Sequence, residues 1–135
     1  MAEAFQFDLV SPERLLMSES VREVVVPGME GDFGVLKNHA PFMSTMRPGF
    51  IEVVKDDGSK SQIFVRGGFA DANPTGLTIL AEQAIAREDL KTEHLDEAIA
   101  EAEDDVSNAM LEDTKIAAAL KLGLLKDIRE ALSRS

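Results

Sequence analysis

The strongest constraint on the fold is an abrupt change in composition near residue 87. All five prolines, all seven phenylalanines and eight of the nine glycines precede this point, whereas alanine, glutamate and leucine dominate after it. Strands and turns favour the first set of residues, and helices favour the second. The sequence therefore predicts two parts, a strand-rich domain over residues 1–86 and a helical domain over residues 87–135.

Short apolar runs separated by turn residues fill the first part. Phe5, Phe7 and Leu9 alternate with polar residues, as in a half-buried strand. Further apolar runs occupy residues 15–17, 21–26, 50–54 and 62–65. We interpret Asp56-Asp57-Gly58 and Asn73-Pro74-Thr75-Gly76 as hairpin turns, of the kind that places both central residues at positive φ. Turns at this spacing predict an antiparallel β-sandwich or flattened barrel.

The second part is predicted to form two helices, which makes the fold class α+β. Thr92 is the expected N-cap of the first helix, residues 108–113 are the break, and Asp113 or Thr114 caps the second. The expected apolar stripes are Leu95, Ile99, Ala102, Val106 and Ala109 on the first helix, and Ala117, Leu120, Leu124, Ile128 and Ala131 on the second, with Leu125 and Leu132 to one side. Gly123 is interpreted as the site of a close helix crossing, with a hinge as the alternative.

Charge indicates how the two helices pair. Residues 93–105 contain seven acidic residues and no lysine or arginine, whereas the second helix has a basic edge. Opposite charges on adjacent helices favour an antiparallel helical hairpin. A pair of helices this short buries too little surface to be stable alone. We therefore expect the hairpin to dock on the β-sandwich, or to detach and open along a partner.

Composition excludes several classes of function. The chain has no cysteine, which rules out disulfides and thiolate metal sites. The net charge of −11 argues against binding to nucleic acid or to an anionic lipid surface. No run of about 18 apolar residues exists, and the N-terminus lacks the features of a signal peptide, so we expect no membrane span.

The sequence offers little support for catalysis. Its two histidines, His39 and His94, lack the spacing of metal ligands, so neither a metal nor a cofactor is expected. The glycines near residue 30 do not suit a phosphate, because residues 38–41 would break a following helix and Glu30 and Asp32 would repel it. A small hydrolase that uses Asp32 and His39 is the least favoured alternative.

Three motifs resemble the N-terminal domain of the epsilon subunit of F-type ATP synthases. The first is a Pro-Gly-x-x-Gly-x-x-Gly run at residues 27–34, followed by His39-Ala40-Pro41. The second is Arg66-Gly67-Gly68-Phe69-Ala70 with the strand at 77–84, and the third is the opening strand at 5–12. The resemblance covers residues 3–86 by motif and residues 87–135 only by layout.

This resemblance implies a non-catalytic rotor subunit of the central stalk. Such a subunit binds the gamma subunit and the c-ring and helps to couple proton flow to ATP synthesis or hydrolysis. It would be peripheral to the membrane, at the cytoplasmic face of the bacterial inner membrane, and held there only through the complex. The catalytic alpha and beta subunits are candidate partners of the C-terminal helices.

The resemblance also implies particular site residues. Glu30, Gly31, Asp32 and His39 match the loop that faces the c-ring, with Asp32 at the acidic contact position. Members of the family that bind ATP carry an Ile/Leu-Asp-x-x-Arg-Ala motif on the first helix. The matching residues are Leu95, Asp96, Ile99 and Ala100. Ile99 replaces the arginine, and the surrounding acidic residues would repel a triphosphate, so we expect no ATP site.

Basic residues of the second helix are the remaining candidates for partner contact, since the family inhibits its own enzyme through such residues. They are Lys115, Lys121, Lys126 and Arg129. Without the resemblance, the residues support only an acidic β-sandwich adaptor with a helical hairpin for a protein partner, and this is the main alternative. Co-purification with a rotary ATPase would separate the two.

Overall fold

The computed structural model describes residues 3–38 and 40–134. The chain divides into two compact units, with the division between Glu88 and Asp89. The first unit consists of strands and the second contains two helices. The predicted α+β class, a β-sandwich or flattened barrel followed by a helical hairpin, is confirmed.

Nine strands occur within the described part of the chain. They are β1 (Phe5–Val10), β2 (Leu15–Gly28), β3 (Gly31–Val35), β4 (Phe42–Met46), β5 (Gly49–Lys55), β6 (Lys60–Val65), β7 (Gly68–Asn73), β8 (Gly76–Ala81) and β9 (Ala84–Ala86). A short 3₁₀ turn at Arg87–Asp89 follows β9. The helices are α1 (Thr92–Asn108) and α2 (Glu112–Ser133).

The long strand β2 connects the two parts of the sheet. It pairs with β1, β3, β4 and β5, and the path β1–β8–β7–β4–β2 returns to β1. The remaining strands extend from β2 through β5 and β6 to β9. Every pair is antiparallel except β1 and β8, which run parallel. This closed path gives the barrel-like half of the unit no free edge between these strands.

The core of the strand unit is apolar and follows the alternation of the strands. Phe7 and Leu9 on β1 face inward together with Leu77 and Ile79, their register partners on β8. Val21, Val24 and Val26 contribute the same face of β2. None of the buried side chains among the described residues is charged or polar. The fold therefore rests on apolar burial and on backbone pairing rather than on buried ion pairs.

The two predicted hairpins exist, but the turn at Gly58 differs from the prediction. Gly58 alone has positive φ, at +87°, and its N–H donates to the Lys55 carbonyl at 2.9 Å. The turn is therefore of the common type I with a glycine bulge, not the type with two positive φ angles. Asp57 has negative φ, and its carboxylate accepts hydrogen bonds from the Ser59 hydroxyl and backbone N–H, at 2.6 and 2.8 Å. These bonds hold the pKa of Asp57 below its usual value.

The turn between β7 and β8 is held by one side chain. The Asn73 side-chain oxygen accepts the backbone N–H groups of Thr75 and Gly76, each at 3.0 Å, and the Thr75 hydroxyl at 2.9 Å. Pro74 fixes the φ of the first central residue at a negative value, so this turn does not have the positive φ angles that the sequence suggested either.

The predicted N-caps of both helices are wrong. Lys91 is the N-cap of α1, and the backbone N–H of Lys91 donates to Nδ1 of His94 at 3.0 Å, so His94 secures the start of the helix. Leu111 is the N-cap of α2 and makes no side-chain capping bond. The acidic residues Glu112 and Asp113 lie in the first turn of α2, where they suit the helix dipole.

The helices pack antiparallel as predicted, and α1 packs on its predicted stripe, whereas α2 packs on a different row. The buried residues of α1 are Leu95, Ala98 and Ala102, and the buried residue of α2 is Leu125. Leu120 is half exposed, and Ala117 and Ala131 are exposed. Leucines follow two overlapping helical rows on α2, and the helix packs on the row through Leu125. The sequence favoured the other row because periodicity alone cannot rank two such rows.

Gly123 does not mark a close helix crossing. It is exposed, and a Cβ atom built there would have no neighbour within 4 Å. That interpretation was wrong.

Among the described helices, none has the length and apolar character needed to cross a bilayer.

Two glycine substitutions should change stability in opposite directions. Gly68 has φ +133°, and an added Cβ would lie 1.9 Å from the Leu80 carbonyl oxygen, so Gly68→Ala should lower the free energy of unfolding by about 2 kcal/mol or more. Gly123→Ala adds a methyl group in open space within a helix and should raise helix stability by up to about 1 kcal/mol. Urea unfolding followed by circular dichroism measures both. Equal effects of the two substitutions would contradict this assignment.

The strand unit should fold without the helices. Its core residues, from Phe5 to Ala81, all lie within the first unit. A fragment of residues 1–88 should therefore unfold cooperatively and give a β-type circular dichroism spectrum. A matched fragment of residues 89–135 should be only partly helical, because its buried surface is small. A molten 1–88 fragment would show that the strands need the rest of the chain.

Candidate functional site

The β2–β3 hairpin forms an exposed tip. Its strands meet at the Gly28–Gly31 pair, so that Met29 and Glu30 form a two-residue turn. Both positions of the pair require glycine: a Cβ at Gly28 would lie 2.7 Å from the Gly31 carbonyl oxygen, and Gly31 has φ +135°. Met29 and Glu30 are exposed at the end of the hairpin. We call residues 28–32 the hairpin tip.

Arg47 fastens the hairpin tip to the end of β4. Its Nη1 donates to the Gly28 carbonyl oxygen at 2.5 Å, and its Nη2 forms an ion pair with the Asp32 carboxylate. The backbone continues this attachment, since the Arg47 N–H donates to Pro27 and the Met29 N–H donates to Thr45, both at 2.9 Å. The tip is therefore held by two backbone and two side-chain bonds.

The two acidic residues of the tip are not equivalent. Asp32 forms an ion pair with Arg47. Glu30 is exposed and makes no hydrogen bond or ion pair with a residue of the ranges 3–38 and 40–134. The sequence had grouped Glu30, Gly31 and Asp32 with His39, and it missed Arg47. Pro48 and Gly49 are turn-forming residues that could have indicated a strand connection after Arg47, but the contact of Arg47 with Asp32 depends on the long-range pairing of β2 with β4.

His39, the fourth residue predicted for this loop, lies outside the described residues. Its neighbour Asn38 has φ +69°, and the Asn38 N–H donates to the Pro74 carbonyl oxygen at 2.9 Å. This bond connects the segment after β3 to the β7–β8 turn. The structure therefore places residues 30–32 on one hairpin and leaves the contribution of His39 as a prediction.

A second surface, missed by the sequence reasoning, is an apolar face on the outside of the barrel. Phe69 on β7 is 51% exposed and lies opposite Leu80 on β8, which is 47% exposed. Leu80 in turn lies opposite Val10 on β1, and Met43 on β4, 69% exposed, is a diagonal neighbour of Phe69. We call Val10, Met43, Phe69 and Leu80 the apolar face.

The apolar face borders a groove of about 390 Å³. The groove is lined by Val10, Ser11, Pro12, Gly68, Phe69, Leu80, Ala81 and Glu82. The sequence did contain a signal for this face. Phe69 shares its side of β7 with Asp71 and Asn73, while the small residues Ala70 and Ala72 are buried. A large aromatic residue on the polar side of a strand indicates a contact surface.

The helical motif residues fall on two sides of α1. Leu95 is fully buried and Ile99 is half-buried, whereas Asp96 and Ala100 are exposed. Asp96 is occupied by α2: its carboxylate accepts a hydrogen bond from Nε of Arg129 at 2.6 Å. This bond and the charge of Asp96 raise the pKa of Arg129 above its usual value. The structure thus brings Asp96 together with one of the four predicted contact residues of α2.

The other three basic residues of α2 differ in exposure. Lys115 and Lys126 are exposed, and Lys121 is half-buried. No group of three or more His, Cys, Asp or Glu side chains in the described residues has the arrangement of a metal site.

Comparisons with known proteins agree with this picture. Residues 4–87 match the family model for the ATP synthase delta/epsilon chain, beta-sandwich domain. The ATP synthase epsilon chain of Parvibaculum lavamentivorans is 51% identical over 132 residues, which cover 98% of this chain and all of that protein. The epsilon chain of Maricaulis maris is 55% identical over 119 residues, which cover 88% of this chain and 89% of that protein.

Two solved structures share the fold over nearly the whole chain. A chain of the Euglena gracilis mitochondrial ATP synthase, in a structure that contains the c-ring, matches with a TM-score of 0.71 and 26% identity and covers 98% of this chain and 83% of that one. A chain from the central stalk and c-ring of the Tetrahymena thermophila enzyme matches with a TM-score of 0.60 and 8% identity, over 95% of this chain and 98% of that one. From its sequence and its fold, the chain belongs to the ATP synthase delta/epsilon chain family.

Proposed function

We propose that the chain is the epsilon subunit of a bacterial proton-translocating F-type ATP synthase. In this role it is a rotor subunit of the central stalk, with no catalytic residues of its own. The observation that carries the proposal is the 51% identity to a bacterial epsilon chain over the full length of that relative. A free-standing adaptor, the alternative left open by the residues alone, has no comparable support.

The apolar face suits the gamma subunit. Apolar patches of this kind mark interfaces with other proteins, and permanent interfaces are more apolar than transient ones. Phe69 and Met43 supply large side chains that a partner can cover completely, and such anchors carry most of the binding energy at an interface. Since the stalk subunits stay assembled while the rotor turns, the apolar face is the natural surface for the permanent contact.

The hairpin tip suits the c-ring. The tip ends in a rigid two-residue turn with an exposed carboxylate, which matches a polar loop better than an apolar surface. The chain then associates with the membrane through the ring, at the cytoplasmic face of the inner membrane. Lys115, Lys121 and Lys126 on α2 remain candidate contacts for the alpha and beta subunits, and Arg129 joins them only when its bond to Asp96 opens.

Reconstitution tests the proposed function directly. The full-length chain should bind a rotor of gamma subunit and c-ring, and it should restore ATP-driven proton pumping to an ATP synthase depleted of its epsilon subunit. The depleted enzyme keeps its own catalytic residues, so the added chain does not have to supply any. A chain that binds neither the rotor nor the depleted enzyme would exclude the proposal and favour the adaptor.

Loss of the apolar face should weaken binding to the gamma subunit. Phe69→Ser removes an aromatic anchor that is half exposed in the free chain, so we expect a loss of about 2 kcal/mol in binding, or roughly thirtyfold in Kd. Stability should change by less than about 0.5 kcal/mol. Ile116→Ser is the matched control, since Ile116 is 59% exposed on α2, and its Kd for the gamma subunit should stay at the original value.

Equal loss of affinity in the Phe69→Ser and Ile116→Ser variants would remove the apolar face from the gamma contact. Isothermal titration with the purified gamma subunit gives both constants, and urea unfolding of each variant shows whether the strand unit is intact.

The isolated chain should not bind ATP. A phosphate site on a helix needs a fixed cation or free N–H donors, and the motif offers Ile99 where the arginine would stand. Asp96 and Arg129 are already bound to one another. Calorimetry should therefore show no saturable binding up to millimolar ATP. Ile99→Arg restores the motif and should raise ATP affinity, and Ile99→Arg with Arg129→Gln is the sharper variant because it also frees the motif residue Asp96 from its ion pair. Submillimolar binding by the unmodified chain would contradict this prediction.

A further inference from the structure

We propose that Arg47 is a positioning residue of the hairpin tip, which neutralises Asp32 and leaves Glu30 as the charge presented to the partner. The inference deepens the proposed function, because the partner in question is the polar loop of the ring. It also changes the expected contact residue, since the acidic position suggested by the sequence was Asp32.

The first step is the environment of Arg47. Its side chain is only 27% exposed, while that of Asp32 is 60% exposed. A cation that is mostly withdrawn from water needs a nearby anion or acceptor. Asp32 and the Gly28 carbonyl oxygen fill this need, each with one nitrogen of the same guanidinium. Asp32 therefore serves first as the ion-pair partner of Arg47.

The second step is the geometry of the guanidinium. Its planar fork has fixed donor directions, so a single arginine can join the first and last residues of the tip, Gly28 and Asp32, only when the turn between them is closed. The backbone bonds of Met29 and Arg47 to the neighbouring strands support the same arrangement. Arg47 thereby fixes the direction in which residues 29 and 30 project.

The third step is the remaining charge. Asp32 and Arg47 together carry no net charge, so the net charge of the tip is that of Glu30. Glu30 lies beside Met29, whose side chain is 44% exposed. The surface that fits is a polar loop with one arginine or lysine side chain and a small apolar group next to it. Exposed charges of this kind act mainly on the association rate and its dependence on salt.

Association kinetics of the full-length chain with a gamma–c-ring rotor test the inference. Glu30→Gln should slow association about threefold at low salt and flatten its salt dependence, because it removes the steering charge. The double variant Arg47→Gln with Asp32→Asn removes the ion pair without changing the net charge of the tip, so it should change the association rate by less than about twofold. An effect of the double variant on association equal to or larger than that of Glu30→Gln would overturn the assignment of the contact charge to Glu30.

The Arg47→Gln variant tests the positioning role. It releases the Asp32 charge, so the association rate should become more dependent on salt than in the original chain, while dissociation becomes faster because the tip is no longer fixed. The double variant Arg47→Gln with Asp32→Asn should regain the original salt dependence and keep the fast dissociation. An unchanged dissociation rate in the double variant, with or without a loss of thermal stability, would overturn the positioning role.

The same measurements separate this inference from the proposed function. A chain that binds the rotor and restores proton pumping, but whose binding is insensitive to Glu30→Gln, refutes the inference and leaves the proposed function intact. A chain that does not bind the rotor in any form refutes both.

Discussion

The architecture of the strand unit depends on the backbone hydrogen bonding of one strand. The 14 residues of β2 pair with β1 over their first half and with β3 and β5 over their second half, and they touch β4 at Gly28. A strand shared in this way closes the barrel and carries the tip hairpin at its end. Because Gly28 pairs with both Gly31 and Met46, the sheet places the base of the tip. Arg47 adds a side-chain connection at the point where these strands meet.

The helical hairpin depends on a different balance of forces. Only Leu95, Ala98 and Ala102 of α1 and Leu125 of α2 are fully buried among its helical residues, so the hydrophobic contribution is small. The bond between Asp96 and Arg129 joins the start of α1 to the end of α2. An exposed ion pair contributes little to stability, but it restricts which residues can face one another. The same bond occupies Asp96, the acidic residue of the helical motif.

The sequence predicted the elements of the fold better than their local chemistry. Apolar alternation located Phe7 and Leu9 in the core, and the change of composition near residue 87 located the helices. The Gly58 turn, the helix caps and the buried row of α2 were wrong for a common reason. Each depends on a competition between nearby alternatives, such as the Asp57 carboxylate against a positive φ, that only the complete set of contacts decides. The Arg47–Asp32 pair could not be predicted, because it follows from strand pairing between residues far apart in the chain.

The distribution of large and small side chains on β7 explains why this strand presents an apolar surface to the outside. Ala70 and Ala72 face a core that Phe7, Leu77 and Ile79 already fill, so the inner positions of β7 have room only for methyl groups. Phe69, on the opposite side, gains nothing from the core and is 51% exposed, as at a surface that another protein covers. An aromatic residue in that position is useful only when another surface covers it. The strand unit therefore presents one exposed apolar face and one rigid charged tip, the two surfaces that the proposed function assigns to its partners.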